Sequence, residues 1–253
     1  MFNNNTFKIQ SKRQNLFLRL TKGHFATSHS HINYYIDVTT QKTRLSEARA
    51  VAEELVSYYQ SNTVVDTILC LDGTQVIGTC LADALTEAGF TNLNAHQTIY
   101  VVTPEHTSGS QLLFRDNLIP MIKGKNVLIL EASITTGYTA KAAIDAIKYY
   151  GGNVSGIGAI FTSLDSCEGY PVHATFELKD LPDYASHPSH ECPICKEGKK
   201  IDALVNGFGY SDDEWVNAVA EQLGKLQHTS NLYFSEPCAR LAEQLCVRTG
   251  MKR

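Results

Sequence analysis

The stretch Val127-Leu128-Ile129-Leu130-Glu131-Ala132-Ser133-Ile134-Thr135-Thr136-Gly137-Tyr138-Thr139 decides how this chain is to be read. Val127 to Leu130 are apolar and read as a buried strand, with the acid Glu131 where that strand is expected to end. Small hydroxylated residues follow, and then a helical pattern from Tyr138 to Tyr150 that closes on Gly151-Gly152. A strand, a short polar turn and a helix aim several backbone N–H groups and a helix N-terminus at one point in space. Ser133, Thr135, Thr136 and Thr139 add hydroxyl donors, and Gly137 lets the backbone approach a ligand closely. Such a turn suits a phosphate monoester, while Glu131 is placed to accept hydrogen bonds from sugar hydroxyls. It is not a Walker A loop, because no Gly-Lys-Ser/Thr follows the right number of glycines. An ordinary strand-to-helix turn capped by Ser133 or Thr135 is the plainer reading of the same residues.

Outward from this stretch the chain alternates. Leu45–Gln60 is an amphipathic helix that Ser46 can cap, with Leu45, Val51, Leu55 and Tyr58 along one side. Strand 66–71, helix 76–88, strand 97–103, strand 126–130, helix 138–150 and strand 153–161 follow. Strands alternating with helices across Gly-containing turns predict an α/β protein with a mainly parallel sheet flanked by helices. In open sheets of that kind ligands sit beyond the carboxyl ends of the strands. Asp72–Gln75, after the strand Ile68-Leu69-Cys70-Leu71, and Glu131–Thr139 both lie at such ends.

Composition narrows the class. The chain has 253 residues, a net charge of −4 and a pI near 6.1, so it carries no basic footprint for nucleic acid. No apolar stretch reaches membrane-spanning length, and the polar start Met1–Gln10 does not read as a secretory signal. Seven cysteines, among them Cys70, Cys80 and Cys246 in apolar runs, suit a reducing, cytoplasmic setting better than a disulfide framework.

The last third is different in texture. From Asp165 it reads as loop-like and polar, and it then presents His187-Pro188-Ser189-His190-Glu191-Cys192-Pro193-Ile194-Cys195. A Cys-Pro-x-Cys knuckle is a common half-site for zinc, and His187 and His190 could complete a set of four ligands with Cys192 and Cys195. A redox pair, or a turn with two incidental thiols, are the other readings. Lys199–Gly209 reads as a short strand and turn. Asp212-Asp213-Glu214 reads as an acidic start to a helix over 213–223, Trp215 as packing, and Glu236–Val247 as a final helix.

Leu130–Thr139 resembles the loop that binds phosphoribosyl pyrophosphate (PRPP) in type I phosphoribosyltransferases. There two adjacent acids commonly precede a small-residue loop ending Thr-Gly-x-Thr; here the acids are reduced to Glu131, with Ala132 second. Lys22-Gly23-His24-Phe25-Ala26-Thr27-Ser28, followed by Tyr34-Tyr35-Ile36-Asp37, resembles the opening of orotate phosphoribosyltransferases. The resemblance implies the type I phosphoribosyltransferase fold: a hood over residues 1–45, a PRPP-binding α/β core over 46–165 and a C-terminal extension over 166–253.

The same resemblance implies roles. Glu131 would hold ribose hydroxyls, the loop Ala132, Ser133, Ile134, Thr135, Thr136, Gly137, Tyr138 and Thr139 the 5′-phosphate, and Asp72, Gly73, Thr74 and Gln75 the pyrophosphate. Lys22, Phe25, Tyr34 and Tyr35 would face the base. Orotate enzymes cover the pyrophosphate with a mobile basic loop. The equivalent Thr103–Gln111 holds no lysine, which leaves His106 and the nearby Arg115 as its candidates beside Glu131 and Lys22 for charge stabilisation. The implied reaction transfers ribose 5-phosphate from PRPP, with Mg2+, to a nucleobase, orotate first, in pyrimidine nucleotide synthesis by a cytoplasmic homodimer. A non-catalytic PRPP-binding regulator on the same fold, or a transferase for another base, are the alternatives.

Overall fold

Runs of aliphatic residues bounded by tight turns build the centre of the molecule. The structure, a computed structural model, describes residues 6–11, 16–27, 30–87, 92–95, 97–106, 111–181, 183–206, 209–210, 240, 243–244 and 246. The chain opens with β1 (Thr6–Gln10), β2 (Phe17–Ala26) and β3 (His31–Asp37), then α1 (Thr39–Thr43) and α2 (Leu45–Tyr59). Next come β4 (Thr67–Cys70), α3 (Gln75–Thr86), β5 (Tyr100–Val102), and the small pair β6 (Glu105–His106) and β7 (Leu112–Leu113). β8 (Asn126–Ile134), α4 (Tyr138–Tyr149), β9 (Asn153–Thr162), β10 (Ser166–Cys167) and β11 (Tyr170–Glu177) complete the core. β12 (Ser186–His187), α5 (Pro193–Lys196) and β13 (Ala203–Asn206) follow.

β5, β4, β8, β9 and β11 lie side by side in that order, all parallel, with β10 antiparallel on the β11 edge. In chain order the parallel strands therefore run 2-1-3-4-5. The order reverses between β4 and β8, and such a switch point opens a crevice at the carboxyl ends of the two strands. One face of the sheet (Ile68, Cys70, Leu128, Leu130) packs on Val51, Leu55, Ile77 and Leu81 of α2 and α3. The other (Leu69, Val127, Ile129, Ile157) packs on Ala143, Ile144 and Ile147 of α4. Alternation along each strand thus feeds two apolar layers. α3 approaches β4 so closely that a Cβ on Gly78 would lie 2.4 Å from the Cys70 Sγ.

Two expectations are corrected here. The strand predicted over 126–130 continues to Ile134, because β9 pairs with it as far as Ile134↔Thr162. Glu131 is therefore a central-strand residue rather than a strand end. The region after Asp165 is not loop-like at its start: β11 adds a fifth parallel strand, burying Val172, Ala174 and Phe176.

A second sheet forms the hood. β2 pairs antiparallel with β1 and β3; β12 extends the β3 edge, and β13 joins the β2 edge in parallel, Ala203 opposite Phe25. The segment boundaries read from sequence shift accordingly: residues after 165 complete both the core sheet and the hood sheet. Leu16, Leu18, Leu20 and Tyr34 of the hood share one apolar cluster with α2, α3 and the core strands.

Met1–Gly209 form one compact unit and Tyr210–Arg253 another. In the second, Arg240, Glu243, Gln244 and Cys246 are helical, within the helix expected over Glu236–Val247. The expected helix over 213–223, its acidic start and Trp215 lie outside the described residues. No helix among the described residues is long and apolar enough to cross a membrane.

Candidate functional site

Two turns meet at the switch point. β4 ends beside β8 in the register Cys70↔Leu130, and the Leu71 amide donates to the Leu130 carbonyl at 2.9 Å. The chain then reverses through Asp72 (φ 52°) and Gly73 (φ 80°), an Asp-Gly pair suited to left-handed backbone. All described peptide bonds in this turn and elsewhere are trans. Thr74 is fully buried, and its hydroxyl sits 2.8 Å from the Leu71 carbonyl and 3.0 Å from that of Leu130, tying the turn to both strands. Gln75 then opens α3, whose first amides lack intrahelical acceptors. From α1, the Lys42 ammonium donates to the Asp72 carbonyl at 2.9 Å.

Glu131 stands on the neighbouring strand. It is 2% exposed, and its Oε1 has no hydrogen-bond partner among the described residues. Burial first, and the Asp72 carboxylate second, push its carboxyl well above the usual carboxylate range. A buried acceptor without a partner is costly unless something completes it. Ala132, where the resemblance leads one to expect a second acid, turns into the apolar cluster shared with α2 and α3.

The second turn is shorter than the sequence suggests, since Ser133 and Ile134 belong to β8 and Ile134 is buried. Thr135, Thr136 and Gly137 remain, with Gly137 at φ 76° as the N-cap of α4. Ser163 holds the turn from behind, donating its hydroxyl to the Thr135 carbonyl at 2.9 Å. Thr135, Thr136, Tyr138 and Ser163 form one wall of a cavity of about 460 Å3; Ser30, Ser186 and His187 contribute from the hood sheet and its connections.

Neither Glu131 nor the Asp72–Gln75 turn lines this cavity, and the other expected site residues also lie elsewhere. Lys22 lies over the Tyr34 ring, 5.6 Å from its centroid. Phe25, expected as a flat wall for a base, is wholly buried with Ile32 and Ala203 because β3 and β13 flank it on both sides; its ring centroid is 6.0 Å from that of Tyr35. Neither pair lines the cavity. Arg115 is paired with Glu105, and His106 lies in the two-residue strand opposite Leu112. Residues 107–110 of the expected mobile loop lie outside the described residues. The expected metal set is also corrected. His187 pairs in register with His31 and lines the cavity, while His190 is exposed beside Glu191; the thiols of Cys192 and Cys195 instead meet His24 and His31.

Sequence reading missed Lys42, Ser30, Ser163 and Ser186. Each is an isolated polar residue that only tertiary folding carries to the site, so no local pattern marks them.

No family model matches the chain. The orotate phosphoribosyltransferase of Chlorobium phaeobacteroides is 27% identical over 186 residues, covering 73% of this chain and 88% of that protein. A separate likeness, 53% identity over 49 residues, is to the acetylornithine aminotransferase of Haemophilus ducreyi; this chain spans 12% of its length. Among solved structures, the Mycobacterium tuberculosis orotate phosphoribosyltransferase in complex with Fe(III) dicitrate aligns with a TM-score of 0.46 at 17% identity, over 65% of this chain and 92% of that one. In sequence, over 73% of its length, the chain resembles orotate phosphoribosyltransferases.

Proposed function

We propose that this chain is a phosphoribosyltransferase: it takes PRPP and transfers ribose 5-phosphate to a ring nitrogen of a nucleobase, releasing pyrophosphate. Orotate is the base we assign first, in keeping with the likeness to orotate phosphoribosyltransferases over most of the first unit. The observation that carries the reading is Glu131, whose buried Oε1 has no partner among the described residues, on the strand that borders the switch point and runs on to the Thr135–Gly137 turn.

In this reading the ribose hydroxyls donate to Glu131, and the 5′-phosphate takes the amides and hydroxyls of Thr135, Thr136 and the start of α4. The pyrophosphate lies against the Asp72–Gln75 turn, with Lys42 supplying positive charge that the lysine-free Thr103–Gln111 stretch does not. As the bond from C1 to pyrophosphate breaks and that from C1 to the base nitrogen forms, positive charge grows on the ribose ring. The protein's work is to position both partners and to stabilise charge. Mg2+ belongs to the same proposal: Asp72, and Glu131 once ionised, would offer it hard oxygen donors beside the expected polyphosphate. When bound, it would neutralise charge on the departing pyrophosphate. A homodimer in the cytoplasm belongs to the same proposal.

A second reading, PRPP binding without turnover, is favoured by Ala132 in the apolar cluster and by Arg115 being paired with Glu105. One assay separates the two. Pyrophosphate release is followed from PRPP and Mg2+, with orotate and then with uracil, adenine and other bases. Release with orotate supports the proposal in full; release with another base keeps the activity and changes the acceptor. No release, with PRPP still raising the melting temperature, establishes the binding protein.

A further inference from the structure

Away from the switch point, four metal-binding side chains converge that the phosphoribosyl chemistry does not use. His24 on β2, His31 at the start of β3, Cys192 before α5 and Cys195 within it bring one ligand atom each to within 4.8 Å of one another. The described edges of this cluster are His24 Nε2 to His31 Nδ1 at 3.2 Å, Cys192 Sγ to His24 Nε2 at 3.4 Å, and Cys195 Sγ to the same nitrogens at 3.6 and 3.2 Å. A tetrahedral zinc ion with Zn–N of about 2.05 Å and Zn–S of about 2.3 Å requires N···N edges of about 3.3 Å and N···S edges of about 3.6 Å. The four described edges lie within about 0.4 Å of those lengths.

We propose that His24, His31, Cys192 and Cys195 form a closed, four-coordinate zinc site that clamps the C-terminal knuckle onto the hood sheet. Three observations beyond the distances support it. His24 is 3% exposed, and its Nδ1 lies 3.1 Å from the Lys200 carbonyl, which fixes the proton on Nδ1 and directs the Nε2 lone pair into the cluster. No carboxylate or ammonium belongs to the cluster, so two thiolates and two neutral imidazoles would exactly balance a dication. Without a cation, soft donor atoms crowd one another with few protons to share; one ion satisfies all four. The S2N2 set favours zinc over the hard cations that oxygen ligands select.

The ligands come from chain segments far apart in sequence, His24 and Cys192 being 168 residues distant. Four protein ligands leave no open coordination position, so the site is structural and takes no part in group transfer. Its neighbours give it reach: Ser30 precedes His31, and His187 pairs with His31, and both Ser30 and His187 line the cavity. The clamp therefore steadies the hood wall of the candidate site.

The test is made on the full-length chain, purified under reducing conditions without chelator. Metal content is measured by plasma mass spectrometry for the wild type, Cys195→Ser, and a His187→Ala/His190→Ala double variant. The expected result is about one zinc per chain in the wild type and the double variant, and loss of most of it in Cys195→Ser, whose position on the exposed side spares the buried packing. Cobalt replacement gives an independent reading on wild-type protein: intense tetrahedral ligand-field bands together with thiolate-to-cobalt charge transfer. The proposal is overturned by wild-type protein that takes up neither zinc nor cobalt, by zinc retained in folded Cys195→Ser, by zinc lost in the double variant, or by a cobalt spectrum without thiolate bands.

Discussion

Glu131 concentrates the chemistry of the site in one side chain. At low pH both folded and unfolded chains hold its proton. As pH rises through the ordinary glutamate value of about 4.3, the unfolded chain releases that proton first, and the raised folded value makes stability fall. Glu131→Gln keeps the shape and removes this liability, so its melting temperature should exceed the wild type's by a margin that widens from pH 4 to pH 7. At about 2–4 °C per kcal/mol for chains of this size, calorimetry will resolve it; a constant or negative margin would contradict the assignment of a proton to Glu131. Ligand binding has the opposite sign. Ribose hydroxyls donating to Oε1 favour the ionised form, so PRPP binding should release a proton and tighten as pH rises. Titration calorimetry in buffers of different ionisation enthalpy measures that proton directly. Lys42 permits a simpler experiment: Lys42→Ala should weaken PRPP binding on the order of 10- to 100-fold, the range of a hydrogen bond to a charged group, with little change in the affinity for free base.

At the level of elements, the helices and strands of the core were legible because aliphatic runs and 3.6-residue periodicity survive burial. α2, α3 and α4 begin and end within two residues of the expected positions. The register past Glu131 was not legible, because an acid normally marks a strand end, and only the long partner β9 reveals that this one is central. β11 was hidden in the same way: Pro171, His173 and Thr175 interrupt its apolar residues, and its polar flanks masked the alternation. Of the site, the two turns could be read from their Asp-Gly and Thr-Gly patterns. The His24, His31, Cys192 and Cys195 cluster could be read only by half, since a Cys-Pro-x-Cys knuckle names its own thiols but not the histidines that a distant sheet brings to it. The turn before α4 has its own test. Gly137 holds φ 76°, and a Cβ there would sit 3.1 Å from Leu164 Cδ1 and 3.3 Å from Cys167 Sγ. Gly137→Ala should cost about 1–3 kcal/mol of stability through left-handed strain and crowding, and should weaken phosphate binding in step, measured by thermal shift with and without PRPP.

On the scale of the whole first unit, hood and core are joined by one apolar cluster rather than by a hinge. Leu18, fully buried on β2, belongs to the same cluster as Leu55, Ile68 and Leu128. Leu18→Ala should therefore destabilise by about 2–5 kcal/mol, and hydrogen exchange should quicken in β4 and β8 as well as in the hood. Faster exchange confined to β1–β3 would show that the hood unfolds alone. The order of the hood sheet has a further consequence, for synthesis rather than stability. Asp202, whose carboxylate accepts from the His24 amide at 2.6 Å, lies 178 residues downstream of it, and β13 pairs with β2 at the same place. At about 5–20 residues per second, translation leaves this part of β2 without its partner for roughly 9–36 s after it is made. During that interval the nascent chain presents an unpaired apolar strand edge, and its protection falls to the ribosome surface and to holding chaperones until the knuckle and β13 emerge.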